Sequence, residues 1–158
     1  MAQRCFWLVK SEPRVYSFTD LQNEPDQITS WDGVRNYQAR NILRDEMQVG
    51  DGVLFYHSNA TPPTIVGTAV VARSGYPDDT AWDPKSKHYD SRSTSENPIW
   101  YMLNIKAERA FRQPVTLPAI KATPGLENMV LLNNARLSVQ PVTPEEWRII
   151  VTLGMQVG

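Results

Sequence analysis

Short runs of apolar residues recur along the chain at the spacing that is typical of β-strands. They predict strands over residues 5–10, 53–57, 65–73, 99–111 and 137–142. In the first run, Phe6 and Leu8 point to one face of the strand. Trp7 and Val9 point to the other face, so both faces carry apolar side chains. We therefore expect this strand to lie inside a sheet, and we expect the second and third strands to pair as a hairpin.

Three segments carry the apolar spacing or the end signals of α-helices. A short helix follows Ser17, and a second helix over residues 37–47 follows Asn36 as its N-cap. Thr143 is the expected N-cap of a last helix that ends at Gly154. That helix opens with a proline and with a glutamate that completes a capping box.

The order of these elements indicates the fold class. Strands and helices do not alternate regularly, which argues against a doubly wound parallel sheet. We predict an α+β protein built as a small mixed β-barrel that carries several short helices. Residues 74–98 combine prolines with a polar run, so a long loop is expected there as a candidate lid. Without repeats or linkers, residues 1–158 are interpreted as one domain.

Composition places the chain among soluble globular proteins. Hydrophobic residues make up 41% of its 158 residues and charged residues 21%, and no apolar run is long enough to span a membrane. The N-terminus lacks a signal-peptide pattern and Cys5 has no second cysteine, so we expect a cytoplasmic protein without disulfides. The net charge of -1 lacks the basic excess of a protein that coats phosphate backbones. Binding of nucleic acid would therefore depend on a local patch and a pocket.

Several stretches of the chain resemble a known family. They are Trp7-Leu8-Val9-Lys10-Ser11-Glu12-Pro13, Trp31-Asp32-Gly33-Val34-Arg35-Asn36-Tyr37-Gln38-Ala39-Arg40-Asn41, Gly50-Asp51, Phe55-Tyr56-His57-Ser58, Val66-Gly67-Thr68-Ala69 and Tyr76-Pro77-Asp78. Together, and in this order, they resemble the EVE domain, whose fold is PUA-like and related to the YTH and ASCH domains. The resemblance covers nearly the whole chain. It implies a barrel pocket that accepts one base, with a modified cytosine in DNA or a modified base in RNA as the ligand.

This resemblance makes residues of the matched stretches candidates for a base-binding site. A base outside its stack needs an aromatic face, polar groups for its edge and cations for the flanking phosphates. The candidate pocket residues are Ser11, Glu12, Trp31, Asp32, Gly33, Val34, Tyr56, Tyr76 and Asp78. The candidate phosphate-binding residues are Lys10, Arg35, Asn36 and Arg40. We expect Trp31, Ser11 and the loop around Tyr76 to line one cavity at the barrel mouth.

Each of these assignments has an ordinary structural alternative. The sequence alone favours a core position for Trp31, and the resemblance favours the pocket. A turn before Pro13 explains Ser11 and Glu12 equally well. A solvated helix surface explains the arginines. The second aromatic wall of the pocket stays open between Tyr56, Tyr76, Trp82 and Tyr89, of which the family motif favours Tyr76.

An enzyme would need a constellation of reactive groups. The chain has two histidines, His57 and His88, neither of which has a partner at metal-ligand spacing, and it has no glycine-rich phosphate loop. We therefore predict no metal and no cofactor. The remaining enzymatic alternative is a small hydrolase in which His57 acts as the base, with Cys5 or Ser58 as the nucleophile. A position of His57 in the pocket beside a nucleophile would favour this alternative over a non-catalytic reader.

Overall fold

The computed structural model describes residues 4–134 and 136–156. Six strands lie in this part of the chain: β1 (Phe6–Ser11), β2 (Ile28–Trp31), β3 (Gly52–His57), β4 (Thr64–Pro77), β5 (Tyr101–Thr116) and β6 (Val139–Val142). The α-helices are α1 (Phe18–Gln22), α2 (Tyr37–Asn41), α3 (Leu117–Ala122), α4 (Val130–Asn133) and α5 (Pro144–Gly154). Short 3-10 turns lie at Pro25–Gln27 and Asp79–Trp82, and a π-helical turn lies at Ile42–Glu46. None of the helices in the described ranges is long and apolar enough to cross a membrane.

The strands form one mixed sheet in the order β2-β5-β4-β3-β1-β6. β1 runs parallel to β3, with Phe6 opposite Gly52, and antiparallel to β6. β3 and β4 form the expected hairpin, and β4 pairs with β5 over most of its length. β1 is therefore an inner strand, as the apolar residues on both of its faces predicted.

The α+β class is confirmed, but the predicted barrel is not closed. Within the described residues, the edge strands β2 and β6 do not pair with each other. The sheet is nevertheless rolled, because the ring of Trp31 on β2 lies 5.4 Å from the ring of Phe55 on β3. In a flat sheet, three strand spacings would hold these strands about 14 Å apart. With only 4 residues, β2 offers few groups for a closing ladder, and a seam remains between β2 and the pair β1–β6.

The rolled sheet has a separate apolar cluster on each face. Trp7 and Phe55 belong to the cluster that also contains residues of α1 and α2. Leu8 and Leu54 belong to the other cluster, together with Ile150 of α5. Neighbouring residues of β1 thus enter different clusters, which fixes this strand at the centre of the fold.

Local capping signals place the helices close to the predicted positions. The hydroxyl groups of Ser17 and Thr143 accept backbone N–H groups three residues ahead and complete capping boxes. Asn36 accepts the N–H of Ala39 at 2.9 Å and so begins α2. The helix predicted over residues 37–47 keeps α-helical geometry for 5 residues and then continues as the π-helical turn.

Candidate functional site

A cavity of about 530 Å³ opens at the seam of the sheet. The end of β1, the strand β2 with the turn that follows it, and the loop between β4 and β5 contribute its walls. The lining residues are Lys10, Ser11, Val15, Tyr16, Thr29, Ser30, Trp31, Asp32, Gly33, Val34, Thr80, Ser86, Lys87, His88 and Ser138. The volume lies within the range of small-molecule sites, roughly 300 to 1,000 Å³. We call this space the seam cavity.

Trp31 and Tyr16 form an aromatic corner in the seam cavity. Trp31 is 9% exposed, and its ring packs edge to face against Phe55 in the core. The Tyr16 ring meets it at 81°, with 6.3 Å between the ring centroids. Trp31 therefore has both roles that the sequence left open, since it packs in the core and also lines the cavity.

Tyr16 is an aromatic wall that the sequence analysis missed. The Ser11 hydroxyl donates to the Tyr16 carbonyl at 2.6 Å and so fixes the backbone of this residue. The Tyr16 hydroxyl is buried, and no group in the described chain lies at hydrogen-bond geometry to it. Burial raises the pKa of the Tyr16 phenol, and a weaker interaction with the Thr29 hydroxyl partly opposes this. The one available signal was the position of Tyr16 before the N-cap Ser17, where apolar residues often pack against the helix.

Asp32 supplies a hydrogen-bond acceptor to the cavity. Partial burial raises the pKa of its carboxyl group, and the negative charge of Asp78 raises it further. Interactions of the carboxyl group with His88 and Arg35 lower its pKa but do not outweigh burial. Within the described residues, the Asp32 carboxylate makes no hydrogen bond or ion pair with another residue. A ligand with an N–H group can therefore bind to it.

Gly33 and His88 bring the long loop against the turn after β2. Gly33 has a φ of 76°, which favours glycine, and its N–H donates to the Asp78 carboxylate at 2.9 Å. A Cβ atom at Gly33 would lie 2.6 Å from Cε1 and Nε2 of the His88 ring. The glycine is therefore required for the close approach of His88, which forms part of the cavity wall.

Arg35 fastens this loop from behind the cavity. Its Nε and Nη2 atoms donate to the His88 carbonyl at 3.2 and 2.6 Å. Its Nη1 donates to the Val34 carbonyl at 2.9 Å and to the Asp78 carboxylate at 3.1 Å. We call Gly33, Arg35, Asp78 and His88 the clasp. The clasp holds the loop in the position where it walls the seam cavity.

Asp78 is the buried acceptor at the centre of the clasp, and its side chain is 0% exposed. Desolvation raises the pKa of this carboxyl group. The hydrogen bonds from Thr80, Gly33 and Arg35 outweigh that effect and hold the pKa below its ordinary value. Asp78 is therefore ionised at neutral pH and carries a structural charge.

Lys10 and Lys87 are the lysines among the lining residues. Burial lowers the pKa of Lys10, and its Nζ atom lies 5.9 Å from the centroid of the Tyr56 ring. Lys87 is exposed in the long loop, one residue before His88. The cavity thus has a cation on β1 and a cation on the loop.

The structure brings together part of the predicted site. Lys10, Ser11, Trp31, Asp32, Gly33 and Val34 line the seam cavity, as does the long loop through residues other than Tyr76. The predicted residues Glu12, Tyr56, Tyr76, Asp78, Arg35, Asn36 and Arg40 are not among its lining residues. Their roles in binding stay predictions.

These remaining side chains have other partners in the fold. The Glu12 carboxylate accepts a hydrogen bond from Asn59. Tyr56 is buried in the second apolar cluster, and the Tyr76 hydroxyl donates to Asn104. Arg40 donates to the Ile99 carbonyl at 2.7 Å. Arg35 and Asp78 belong to the clasp, and Asn36 caps α2.

His57 is not among the residues that line the seam cavity. The Phe18 N–H donates to its Nε2 atom at 3.1 Å, and its ring packs edge to face against Phe55. Burial lowers the pKa of His57. Among the described residues, no group of three or more histidine, cysteine or acidic side chains could hold a metal ion. The geometry at His57 is that of a side chain bound into the fold.

The fold and the seam cavity define a PUA-like domain with a pocket that has an aromatic corner. A ZmASCH mutant protein from Zymomonas mobilis aligns with a TM-score of 0.54 at 11% identity, which is a likeness of fold alone. The EVE domain family model matches residues 5–153, and the chain belongs to this family. The resemblance carried by the sequence motifs is thereby confirmed.

Relatives are similar to this chain over most of its length. Thymocyte nuclear protein 1 from Gallus gallus is 43% identical over 166 residues, covering 94% of this chain and 68% of that protein. A hypothetical protein from Leishmania major aligns with a TM-score of 0.91 at 41% identity, covering 96% of this chain and 95% of the other. Human THYN1 in complex with 5-methylcytosine containing DNA aligns with a TM-score of 0.89 at 40% identity. That alignment covers 98% of this chain and 99% of the human chain.

Proposed function

We propose that this protein binds a modified cytosine of DNA, turned out of its stack into the seam cavity, and leaves the base chemically unchanged. One observation carries the proposal. An aromatic corner lies beside the Asp32 carboxylate, to which no other described residue donates a hydrogen bond, in a chain that is 40% identical to a human protein in complex with 5-methylcytosine containing DNA. Each wall of the cavity has its own role in this binding.

The aromatic corner receives the plane of the base. An extruded base loses its stacking on both neighbours, and an aromatic side chain replaces part of that interaction. The rings of Trp31 and Tyr16 stand at 81° to each other. A base that stacks parallel to one ring is therefore nearly perpendicular to the other ring. Single strands should bind better than duplexes, because no base pair has to be opened.

Asp32 reads the edge of the base. A carboxylate accepts a hydrogen bond from the exocyclic amine of cytosine, whereas the matching position of thymine is a second acceptor. A hydrogen bond to a charged group contributes roughly 1.5 to 3 kcal/mol. We expect 5-methylcytosine to bind about 10-fold or more tightly than thymine, which carries the same methyl group.

The methyl group of the modified base contributes less to the binding free energy than the hydrogen bond to Asp32. The cavity wall contains the apolar side chain of Val34 next to the aromatic corner. Burial of one methyl group is worth about 0.8 kcal/mol, which corresponds to about 4-fold in affinity. Recognition of the amine and of the methyl group together would distinguish 5-methylcytosine from both thymine and cytosine.

Lys10 and Lys87 contact the phosphates that flank the extruded base. Both line the cavity, and Arg35 is not among its lining residues. The net charge of -1 gives no general attraction to DNA, so binding depends on these local cations. For single strands, each neutralised phosphate adds about 0.7 to the log-log salt slope.

The position of His57 supports binding without catalysis. The hydrolase alternative requires this histidine to reach a nucleophile in the cavity. Its Nε2 atom instead accepts the backbone N–H of Phe18, and the residue is not part of the cavity lining. Cys5 and Ser58 are not part of that lining either.

Fluorescence anisotropy with matched oligonucleotides tests this proposal. Single-stranded DNAs carry 5-methylcytosine, cytosine or thymine at one position, and the 5-methylcytosine sequence is also measured as a duplex and as RNA. We expect the order 5-methylcytosine, cytosine, thymine, with the single strand above the duplex. Equal affinity for the three bases would refute the base pocket, and tighter binding of the RNA would refute the assignment to DNA. Mass spectrometry of the recovered oligonucleotide should show no change, and a cleaved or altered base would refute the non-catalytic role.

A further inference from the structure

A second, smaller cavity of about 250 Å³ lies in the loop that walls the seam cavity. Its lining includes Trp82, Tyr89, Ser93 and Glu96, none of which lines the seam cavity. The volume falls below the usual range of small-molecule sites, roughly 300 to 1,000 Å³, so this space suits a single ring system. We call it the loop cavity.

Two aromatic side chains give the loop cavity a surface for a planar ligand. Tyr89 is 44% exposed, so its ring is accessible to a ligand. The Nε1 atom of Trp82 is buried, and within residues 4–134 and 136–156 it has no hydrogen-bond acceptor. The Tyr89 ring is therefore the surface on which a planar ligand can stack, and Trp82 adds to the wall.

The loop cavity and the seam cavity are lined by neighbouring residues of the same loop. His88 lines the seam cavity and Tyr89 lines the loop cavity, and their Cα atoms are joined by one peptide unit, about 3.8 Å. Backbone hydrogen bonds from Tyr89 to Ser86 at 3.1 Å and from Asp90 to Ala81 at 2.9 Å hold the loop between them. The two cavities therefore keep a fixed spacing, and Lys87 lies on the same stretch of loop.

The polar groups of the loop cavity select a base over a phosphate. Glu96 is a negative charge in the lining and repels phosphate, but its carboxylate can accept the exocyclic amine of a base. The hydroxyl groups of Ser91 and Ser95 in the lining can donate to a ring nitrogen or a carbonyl oxygen. A donor and an acceptor beside an exposed aromatic ring match the edge and the face of a nucleobase.

We infer that the loop cavity binds the base of a neighbouring nucleotide in the strand whose modified base occupies the seam cavity. This inference rests on the proposed function, because the strand is positioned by its modified base. It goes beyond that function in giving the protein a second base-binding site. The protein then reads a short stretch of single strand and not one isolated base.

Oligonucleotides with abasic positions test the inference on the intact protein. Each single strand carries 5-methylcytosine or cytosine at the central position and either a base or an abasic sugar on its 5′ or 3′ side. The ratio of affinities for 5-methylcytosine and cytosine reports on the seam cavity. The ratio for a base and an abasic neighbour reports on the loop cavity.

Two variants separate the cavities. Tyr89→Ala removes an exposed ring and leaves the core intact, with Tyr89→Phe as the matched control that keeps the ring. In the wild type, an abasic neighbour on one side should weaken binding about 5-fold or more. Tyr89→Ala should reduce this ratio to near 1 without changing the preference for 5-methylcytosine, and Tyr89→Phe should retain both.

The results distinguish failure of this inference from failure of the proposed function. If the wild type binds abasic and complete neighbours equally on both sides, the loop cavity takes no base. The same conclusion follows if the ratio survives in Tyr89→Ala. If the 5-methylcytosine preference is absent while the neighbour ratio persists and depends on Tyr89, the seam assignment is wrong and the loop cavity still binds a base.

Discussion

Arg35 offers the sharpest test of the structural interpretation, because sequence and structure assign it different roles. The sequence motifs predict a phosphate contact, whereas the structure places its guanidinium group in the clasp. Arg35→Ala removes the donors to the carbonyls of Val34 and His88 and leaves the buried Asp78 carboxylate with fewer partners. The perturbation therefore concerns the attachment of the loop.

The magnitude follows from the exposure of the two charges. Loss of one partner of a buried ion pair costs roughly 3 to 5 kcal/mol. The Arg35 side chain is 24% exposed, and Asp78 keeps its bonds to Gly33 and Thr80, so water and these groups reduce the loss. We expect Arg35→Ala to lower the free energy of unfolding by about 2 to 4 kcal/mol. For a chain of this size, that corresponds to a Tm lower by roughly 5 to 15 °C.

Urea unfolding and a salt series with the 5-methylcytosine strand distinguish the two roles. The clasp predicts a loss of stability and a general loss of affinity, with the salt slope unchanged. Arg35→Lys is the matched control, since it keeps the charge but not the fork that bridges His88 and Asp78. A phosphate contact predicts unchanged stability and a slope reduced by about 0.7 in both DNAs, modified and unmodified. That second result would refute the clasp.

Four further substitutions test the walls of the seam cavity. Trp31→Leu keeps most of the apolar packing but removes the stacking face, so titrations should show binding of 5-methylcytosine DNA weakened about 5- to 150-fold; unchanged affinity would contradict stacking. Asp32→Asn should reduce the preference for 5-methylcytosine over thymine in the same assay. Because the folded state raises the pKa of Asp32 above 3.8, its charge costs stability above the raised pKa and nothing below pH 3.8. Because Asp32 is only partly buried, solvent screening keeps this cost small. Melts should therefore show Asp32→Asn slightly more stable at pH 7 and equal to wild type in acid. Gly33→Ala forces a left-handed backbone and a contact with His88, so urea melts should show a loss of about 1 to 3 kcal/mol, and a neutral effect would contradict the clasp. Tyr16→Phe should raise stability by about 1 kcal/mol by removing an unpaired buried hydroxyl, and should leave affinity within about 2-fold.

The sequence predicted the elements that have strong local signals. The apolar runs located β1, β3 and the β3–β4 hairpin, and capping residues located α1, α2 and α5. β2 was missed because its 4 residues carry no alternation long enough to recognise, and it exists through pairing with β5. β4 runs on to Pro77 through polar residues for the same reason, since its end is held by β5.

The site was predictable where a motif marks it and not where only three-dimensional packing does. The motifs led to Trp31, Asp32 and Gly33, which line the seam cavity. Tyr16 lines the cavity because the end of β1 and the N-terminus of α1 meet there. No periodic pattern in the sequence predicts this contact. Lys87 lies in a loop without regular structure, and the position of this lysine depends on the clasp.

The open seam also could not be foreseen from the sequence. Short strands without regular β-α alternation favour a barrel, and closure depends on whether the two edge strands meet. In the described ranges β2 and β6 do not pair with each other, and the gap between β2 and the β1–β6 pair contains the cavity. The departure from a closed barrel is thus the feature that makes room for a ligand.

The position of the methyl group in the complex tests the central claim most directly. A single-stranded DNA with a 13C-labelled methyl group on its 5-methylcytosine is titrated with the protein and followed by NMR. A base held in the aromatic corner should shift this methyl resonance through the ring currents of Trp31 and Tyr16 and should show contacts to their ring protons. The shift should shrink in Trp31→Leu, while Tyr89→Ala should retain it. A methyl resonance that stays at its free position when anisotropy shows saturation would contradict capture of the base in the seam cavity.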